Sequence, residues 1–347
     1  MKTNPTILRR QFIKKSIFLG TAFTLTPYTY SSSGNTGVIM TVLGPIDPGE
    51  TGNILAHEHI LVDFIGAKET GYHRWDREVV TNAIAPYIDE VKKFGCKTIF
   101  ECSPEYIGRD PLLLKLVSER MQINLITNSG LYGAHDNKFI PEYAYEESAK
   151  QLSKRWIKEW EDGIENTGIK PGFIKIGVNP GALSDLHKKL VIAAALTHKK
   201  TGLTIVAHTG PASTAFEELE LLKREGVKPD SFIWVHAQSE KDLDKHLEAA
   251  STGAWVSLDG VNTRNIDNYV RMITNLRDNG GFHRTLVSHD AGWYSPGEPD
   301  GGDFRGFGTV FNKLCPALLN SGFTLNEIDQ LLKTNPREAM IVRKRLI

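Results

Sequence analysis

The stretch Asn53–His59, NILAHEH, ends an apolar run with two histidines separated by one residue. In an extended strand residues i and i+2 share a face, so the rings of His57 and His59 aim at one spot. Two convergent imidazoles suit a metal ion, although a pair alone equally fits hydrogen-bonded core histidines. The same pattern, an apolar run carrying an ionisable residue, recurs along the chain. Lys175 lies within GFIKIGV, His208 ends the run in LTIVAHT, His236 in SFIWVHA, and Asp290 in RTLVSHD. Four neutral imidazoles and one carboxylate suit borderline divalent transition metals, zinc first with manganese or cobalt as alternatives, better than calcium or magnesium. Five such ligands exceed what one open catalytic zinc takes, so two metal ions are expected. Buried beside two dications, the Lys175 ammonium would be disfavoured and lose its proton. The neutral amine could then take up carbon dioxide, and the two oxygens of the carbamate could bridge both metals.

These residues need a scaffold that gathers strand ends. From about Val38 onward, eight short runs rich in Val, Ile, Phe and Thr alternate with longer amphipathic stretches. The remaining runs are KTIFEC, INLITNS and AWVSLD. Among the helix-like stretches are REVVTNAIAPYIDEVKKFG, closed by Gly95, and DPLLLKLVSERM, with Asp110 as N-cap and Pro111 at the first helical position. Near-continuously apolar strands alternating with helices predict a parallel sheet covered on both faces. Eight repeats predict an α/β fold closed into a (β/α)8 TIM barrel, whose catalytic groups gather at the C-terminal ends of the strands. Long insertions follow the third strand, at GLYGAHDNKFIPEY, and the eighth, at AGWYSPGEPDGGDFRGFG. The latter is Gly-rich but lacks the G-x-x-x-x-G-K-[ST] spacing of a phosphate cradle.

The 347 residues carry 41 basic and 41 acidic side chains, interspersed, with 40% hydrophobic content. That balance predicts a globular protein acting on a small molecule, with neither nucleic acid nor an anionic membrane as partner. Cys96, Cys102 and Cys315 form no C-x-x-C pair and are expected to be buried small residues. Residues 1–35 read as a separate segment: a basic start, an apolar stretch too short to span a bilayer, then a Ser/Gly-rich linker. The string Arg9-Arg10-Gln11-Phe12-Ile13-Lys14 resembles a twin-arginine export motif, which predicts a periplasmic protein with one catalytic domain over residues 36–347.

With these strand ends counted, the chain resembles the phosphotriesterase family of the amidohydrolase superfamily. The match runs from about Leu43 to the C-terminus through AHEHIL, IGRDPLLL, GFIKIG, AHTG, VHAQ, SHDAGW and LLKTNPREAM. The resemblance implies a binuclear centre in which His57, His59 and Asp290 hold the more buried metal and His208 and His236 the more exposed one. It implies further that N6-carboxylated Lys175 and a hydroxide bridge the pair, that the hydroxide attacks the substrate, and that Asp290 accepts its proton. Tyr132 in GLYG and Trp293 in SHDAGW would line the pocket, and Asp259 with Arg264 in the seventh loop would shape substrate choice. Two departures bear on the substrate. Ser239 replaces the family's usual acidic residue three positions after His236, and the interval from His236 to Asp290 is short, as in lactonase-type members. The expected activity is therefore hydrolysis of a lactone or other carboxylic ester. The alternatives are phosphotriester or other phosphoester hydrolysis and, from another class, an inactive small-molecule-binding barrel. The resemblance is also compatible with a homodimer.

Overall fold

The computed structural model describes residues 37–347, so the expected export segment lies outside the described residues. An antiparallel hairpin of β1 (Ile39–Thr41) and β2 (Gly44–Ile46) precedes the main body. All eight expected strand runs form: β3 (Asn53–Leu61), β4 (Cys96–Glu101), β5 and β6 (Asn124–Ile126 and Asn128–Ser129), β7 (Phe173–Gly177), β8 (Thr204–His208), β9 (Phe232–Val235), β10 (Trp255–Leu258) and β11 (Thr285–Val287). A short β12 (Gly292–Tyr294) follows. The strands make two parallel sheets, in the orders β11-β10-β9-β8-β7-β6 and β12-β3-β4-β5. Only Thr127 separates β5 from β6, so one strand passes from sheet to sheet. At the other seam the chain runs from β11 into β12, which pairs with β3 at Gly292 and His59. The Asp290 N–H donates to His57 O at 3.1 Å and the His59 N–H to Ala291 O at 2.9 Å. This parallel α/β order is consistent with the expected (β/α)8 barrel.

Several helices start where the sequence supplies caps. Asp76 accepts from Glu78 N and Val79 N at the head of α1 (Arg77–Lys92), and Asp110 from Leu112 N and Leu113 N at the head of α2 (Pro111–Met121). After the short α3 (Tyr143–Glu146), Ser148 and Gln151 form a capping box on α4 (Ala149–Asp162). Then come α5 (Asp185–Thr201), α6 (Ala212–Arg224), α7 (Leu243–Thr252) and α8 (Ile266–Asp278). The last is absent from the helix-like stretches picked out in the sequence, because Asn, Asp and Arg dilute its apolar signal. Its buried Tyr269, Met272, Ile273 and Leu276 nonetheless form a stripe at helical spacing against the core. Near the C-terminus, π-turns at Val310–Leu314 and Gln330–Thr334 each run into a segment with proline at its start, where an N–H is missing from the ladder.

Inside the ring, Ile54, Phe100, Ile126, Phe173, Val206, Ile233, Trp255 and Leu286 form one apolar layer with a residue from each barrel strand. Two residues further along the same strands, and so on the same face, come Cys102, Lys175, His208 and Ser257. The barrel is therefore dry below and polar above. On β3 the pairing with β4 shifts register between Leu55 and Glu58, an irregularity that changes which residues face inward. That shift carries His57 and His59 to the interior after Ile54 and leaves Glu58 on the other face.

Candidate metal centre

The six residues expected at strand ends converge on one cavity of about 140 Å³. Lys175 Nζ lies 3.3 Å from His57 Nε2, and His59 Nε2 lies 3.0 Å from Asp290 Oδ1. Asp290 also stands 3.8 Å from His57 Nε2 and 4.0 Å from His236 Nε2, which is 2.8 Å from His208 Nδ1. Lys175 and His57 are buried, while His208, His236 and Asp290 are partly open to the cavity. A larger groove, of about 690 Å³, lies at the β1–β2 hairpin and contains none of these groups.

What holds the rings is a layer of hydrogen bonds behind them. Asp259 Oδ2 takes His57 Nδ1 at 3.2 Å, and Asp259 Oδ1 takes His236 Nδ1 at 2.6 Å. Asp259 also accepts from the His236 N–H, Ser257 Oγ and Gln238 Nε2. It is fully buried, so it is not the substrate-contacting loop residue expected from the sequence but the carboxylate that orients two rings. His59 Nδ1 meets Ser103 Oγ at 2.9 Å, and that hydroxyl in turn reaches Glu101 Oε1 and Leu61 O. Arg264, the other expected loop residue, is exposed and does not line the cavity. Ser239 turns its hydroxyl back onto His236 O.

Glu58, between the two histidines, was not among the residues singled out in the sequence. Its Oε1 accepts from Ser288 Oγ at 2.7 Å, from the His289 N–H at 3.0 Å and from His289 Nδ1 at 2.6 Å, and its Oε2 from the Ala291 N–H at 3.0 Å. These bonds fix residues 288–291 and with them Asp290, which sits at φ 51° in the left-handed region. His135 at φ 55°, His236 at φ 62° and Trp293 at φ 74° share that unfavourable conformation, so four cavity residues store backbone strain. Gly292 completes the turn: a Cβ there would fall 1.8 Å from His59 O. The only hint of Glu58 in the sequence is its place in a buried run, since alternation would set it opposite the two rings.

The model of the phosphotriesterase family matches residues 37–340. The chain belongs to the phosphotriesterase family. It is 30% identical to the phosphotriesterase homology protein of Escherichia coli (strain K12) over 292 residues, 83% of this chain and 97% of that one. The aryldialkylphosphatase of Saccharolobus solfataricus is 25% identical, with 84% of this chain and 96% of that one covered. The N-acetyltaurine hydrolase of Dictyostelium discoideum is 27% identical over 74% of this chain and 72% of its own. A crystal structure of the E. coli phosphotriesterase homology protein, complexed with phosphate in the active site, superposes with a TM-score of 0.72 at 27% identity, covering 84% of this chain and 99% of that one.

The phosphotriesterase family depends on a binuclear metal centre, and the donor set of this family member fits one. One ligand atom each of His57, His59 and Asp290 lies within 4.8 Å of the others. The outer partners decide which nitrogens are free. With Nδ1–H committed to Asp259 or Ser103, the inner Nε2 atoms of His57, His59 and His236 present lone pairs to Lys175, Asp290 and His208. A lone pair 3.0 Å from a carboxylate oxygen, or 2.8 Å from a second ring nitrogen, is repulsive unless a proton or a cation lies between them. A second grouping, His57, His236 and Asp259, falls within the same span, but the 2.6 Å contact there leaves no room for an ion. Protonation agrees: burial and the Lys175 charge pull His57 down to about 4, and burial with His236 holds His208 well below its ordinary value. His236 goes the other way, because the Asp259 carboxylate outweighs the effect of burial and raises it. A metal would take the place of that proton.

One buried acid near the site controls stability rather than chemistry. Glu218 on α6 accepts from Thr209 Oγ1 at 2.6 Å, next to His208, while its Oε1 has no partner. Burial pushes it from the ordinary 4.5 up to about 8. A folded-state pKa above the unfolded one means that its contribution is complete below about pH 4.5 and is lost as pH rises through about 8. Glu218→Gln is expected to flatten this loss, raising the thermal midpoint relative to wild type at pH 9 but not at pH 5. A parallel pH dependence in both proteins, followed by circular dichroism, would exclude it.

Proposed function

We propose that this protein is a binuclear metal-dependent hydrolase acting on a lactone or another carboxylic ester. The observation that carries the reading is the convergence of His57, His59, His208, His236, Asp290 and Lys175 on one cavity. His57, His59 and Asp290 would hold one ion and His208 and His236 the other, zinc first with manganese or cobalt as alternatives. Lys175, once deprotonated, adds through Nζ to carbon dioxide, releases a proton and gains two carbamate oxygens. When bound, the two cations would supply Lewis acidity and lower the pKa of the attacking water into a nucleophilic range. Asp290 then accepts the proton from the attacking water and passes it towards the leaving group. Tyr132 places its hydroxyl in the cavity, 3.0 Å from His208 Nδ1, the ring nitrogen that also faces His236, while Phe64, Ile107 and Trp293 form an apolar rim that excludes bulk water.

The small cavity with its apolar rim, Ser239 and the short seventh-loop interval favour a compact acyl substrate. Phosphoester hydrolysis is the second reading, favoured by the aryldialkylphosphatase relative. Lactones, carboxylic esters, and phosphate mono- and triesters assayed side by side on zinc- and manganese-loaded protein separate the two. A kcat/KM about tenfold higher on a phosphoester, about 1.4 kcal/mol in transition-state binding, sinks the ester reading. Chelation is expected to abolish activity and lower the thermal midpoint, since an ion at about 100 times its Kd stabilises the fold by about 2.7 kcal/mol. Elemental analysis finding fewer than one metal per chain after metal-supplemented expression would instead favour an inactive binding barrel.

A further inference from the structure

From Trp293 and Phe64 in the cavity wall an aromatic strip runs outward, with a cation at each end that does not itself line the cavity. Trp293 and Phe64, both lining the cavity, have ring centroids 5.4 Å apart, and Phe64 and Phe139 are 5.9 Å apart. The Arg305 guanidinium carbon lies 4.0 Å from the Trp293 ring centre, and Lys138 Nζ lies 5.7 Å from that of Phe139. Neither cation meets a carboxylate among the described residues. Arg305 is the fixed one: its backbone bonds reciprocally with Gly292, at 2.8 and 2.9 Å, and its Nη2 donates to Asp290 O at 2.5 Å. The exposed guanidinium is thereby held over Trp293, next to the residue that carries the carboxylate of the centre. Its remaining N–H groups meet no protein acceptor among the described residues, and Trp293 Nε1–H is buried without a partner. Unused donors beside an apolar floor suit a ligand that is apolar at the centre and anionic at its far end.

We infer that Arg305, on its Trp293 platform, is a specificity-determining subsite for a carboxylate carried on the substrate. This rests on the ester-hydrolase reading and narrows it to anionic esters and lactones. Arg305 selects among substrates and leaves the reacting carbon to the centre itself. The side chain also touches Asp290 O, so its loss slows every substrate to some degree; the ratio between a charged and a neutral substrate isolates the subsite.

The experiment uses two matched pairs on metal-loaded protein: 4-acetoxybenzoate against phenyl acetate for turnover, and phenylacetate against phenylacetamide for binding by calorimetry. Wild type is expected to prefer 4-acetoxybenzoate by about tenfold in kcat/KM, through KM. Arg305→Ala brings that ratio to within about twofold and weakens phenylacetate about tenfold while leaving phenylacetamide within about twofold. Arg305→Lys, which keeps the charge without the flat fork, falls between them. Unchanged preference and unchanged phenylacetate affinity in Arg305→Ala would overturn the inference, since the anion would then be held by the centre alone. If neither ester is cleaved but phenylacetate affinity still depends on Arg305, the ester reading fails and the anionic subsite stands.

Discussion

Lys175→Ala is expected to lower kcat/KM by on the order of 10³-fold, with part of that activity returning when millimolar acetate or formate is added. Lys175 is 1% exposed, directly above the apolar layer of the barrel, and its Nζ is 3.3 Å from His57 Nε2. An ordinary snorkelling lysine would extend to water; this one ends among four imidazoles and a carboxylate. Alanine removes the group proposed to bridge the two halves of the ligand set and leaves a polar space that a short carboxylate fills. Two measurements check this: metal content by elemental analysis, expected to fall, and turnover of the best ester with and without the added acid. Retention of wild-type kcat/KM in Lys175→Ala refutes the bridging assignment, whereas loss without rescue leaves the lysine essential but not replaceable by a carboxylate.

Asp259→Asn is expected to weaken binding at both halves of the centre, by about 10–100-fold in metal affinity, because one carboxylate orients both His57 and His236. An amide nitrogen in its place would confront a ring N–H and turn one imidazole to the other tautomer, withdrawing its lone pair from the cavity. Activity should therefore fall steeply at stoichiometric metal and recover at excess. Asp259→Ala goes further, since it deprives a buried network of its anion at a cost of about 3–5 kcal/mol. The pH sign follows from the same contacts. Burial pushes Asp259 up, but His236 and His57 outweigh it and hold the carboxyl well below the ordinary 3.8. Its stabilisation is thus complete at neutral pH and is lost only as pH falls below about 4, so the gap in thermal midpoint between wild type and variant should narrow only in acid. Equal metal titration curves for wild type and Asp259→Asn would show that the rings are held by something else.

The six convergent groups were legible in the sequence because each ends or interrupts an apolar strand, and strand ends of such a fold meet at one face. The eight strands were legible for the same reason. Hydrophobic runs are local, and their alternation with capped helices leaves few alternatives. The helix Ile266–Asp278 was lost where polar residues diluted the pattern, although its buried stripe is regular.

Residues that act through another residue were not legible. Asp259 follows its strand as a loop charge would, and only the closed ring puts it beneath His57 and His236, which lie 202 and 23 positions away in the chain. Ser103 and Glu101 behind His59 carry no motif. Glu58 was not singled out, since strand alternation sets it opposite the two rings, and it does face away from them. The closure of β3 against residues 288–291 brings four donors to its carboxylate and so sets the left-handed turn at Asp290. The sequence alone determined which side chains could hold metal, since residue type and strand period are local properties. Tertiary structure alone decided which nitrogen of each ring is free and where Arg305 lies over Trp293. Both depend on hydrogen bonds and stacking between segments that only the fold brings together.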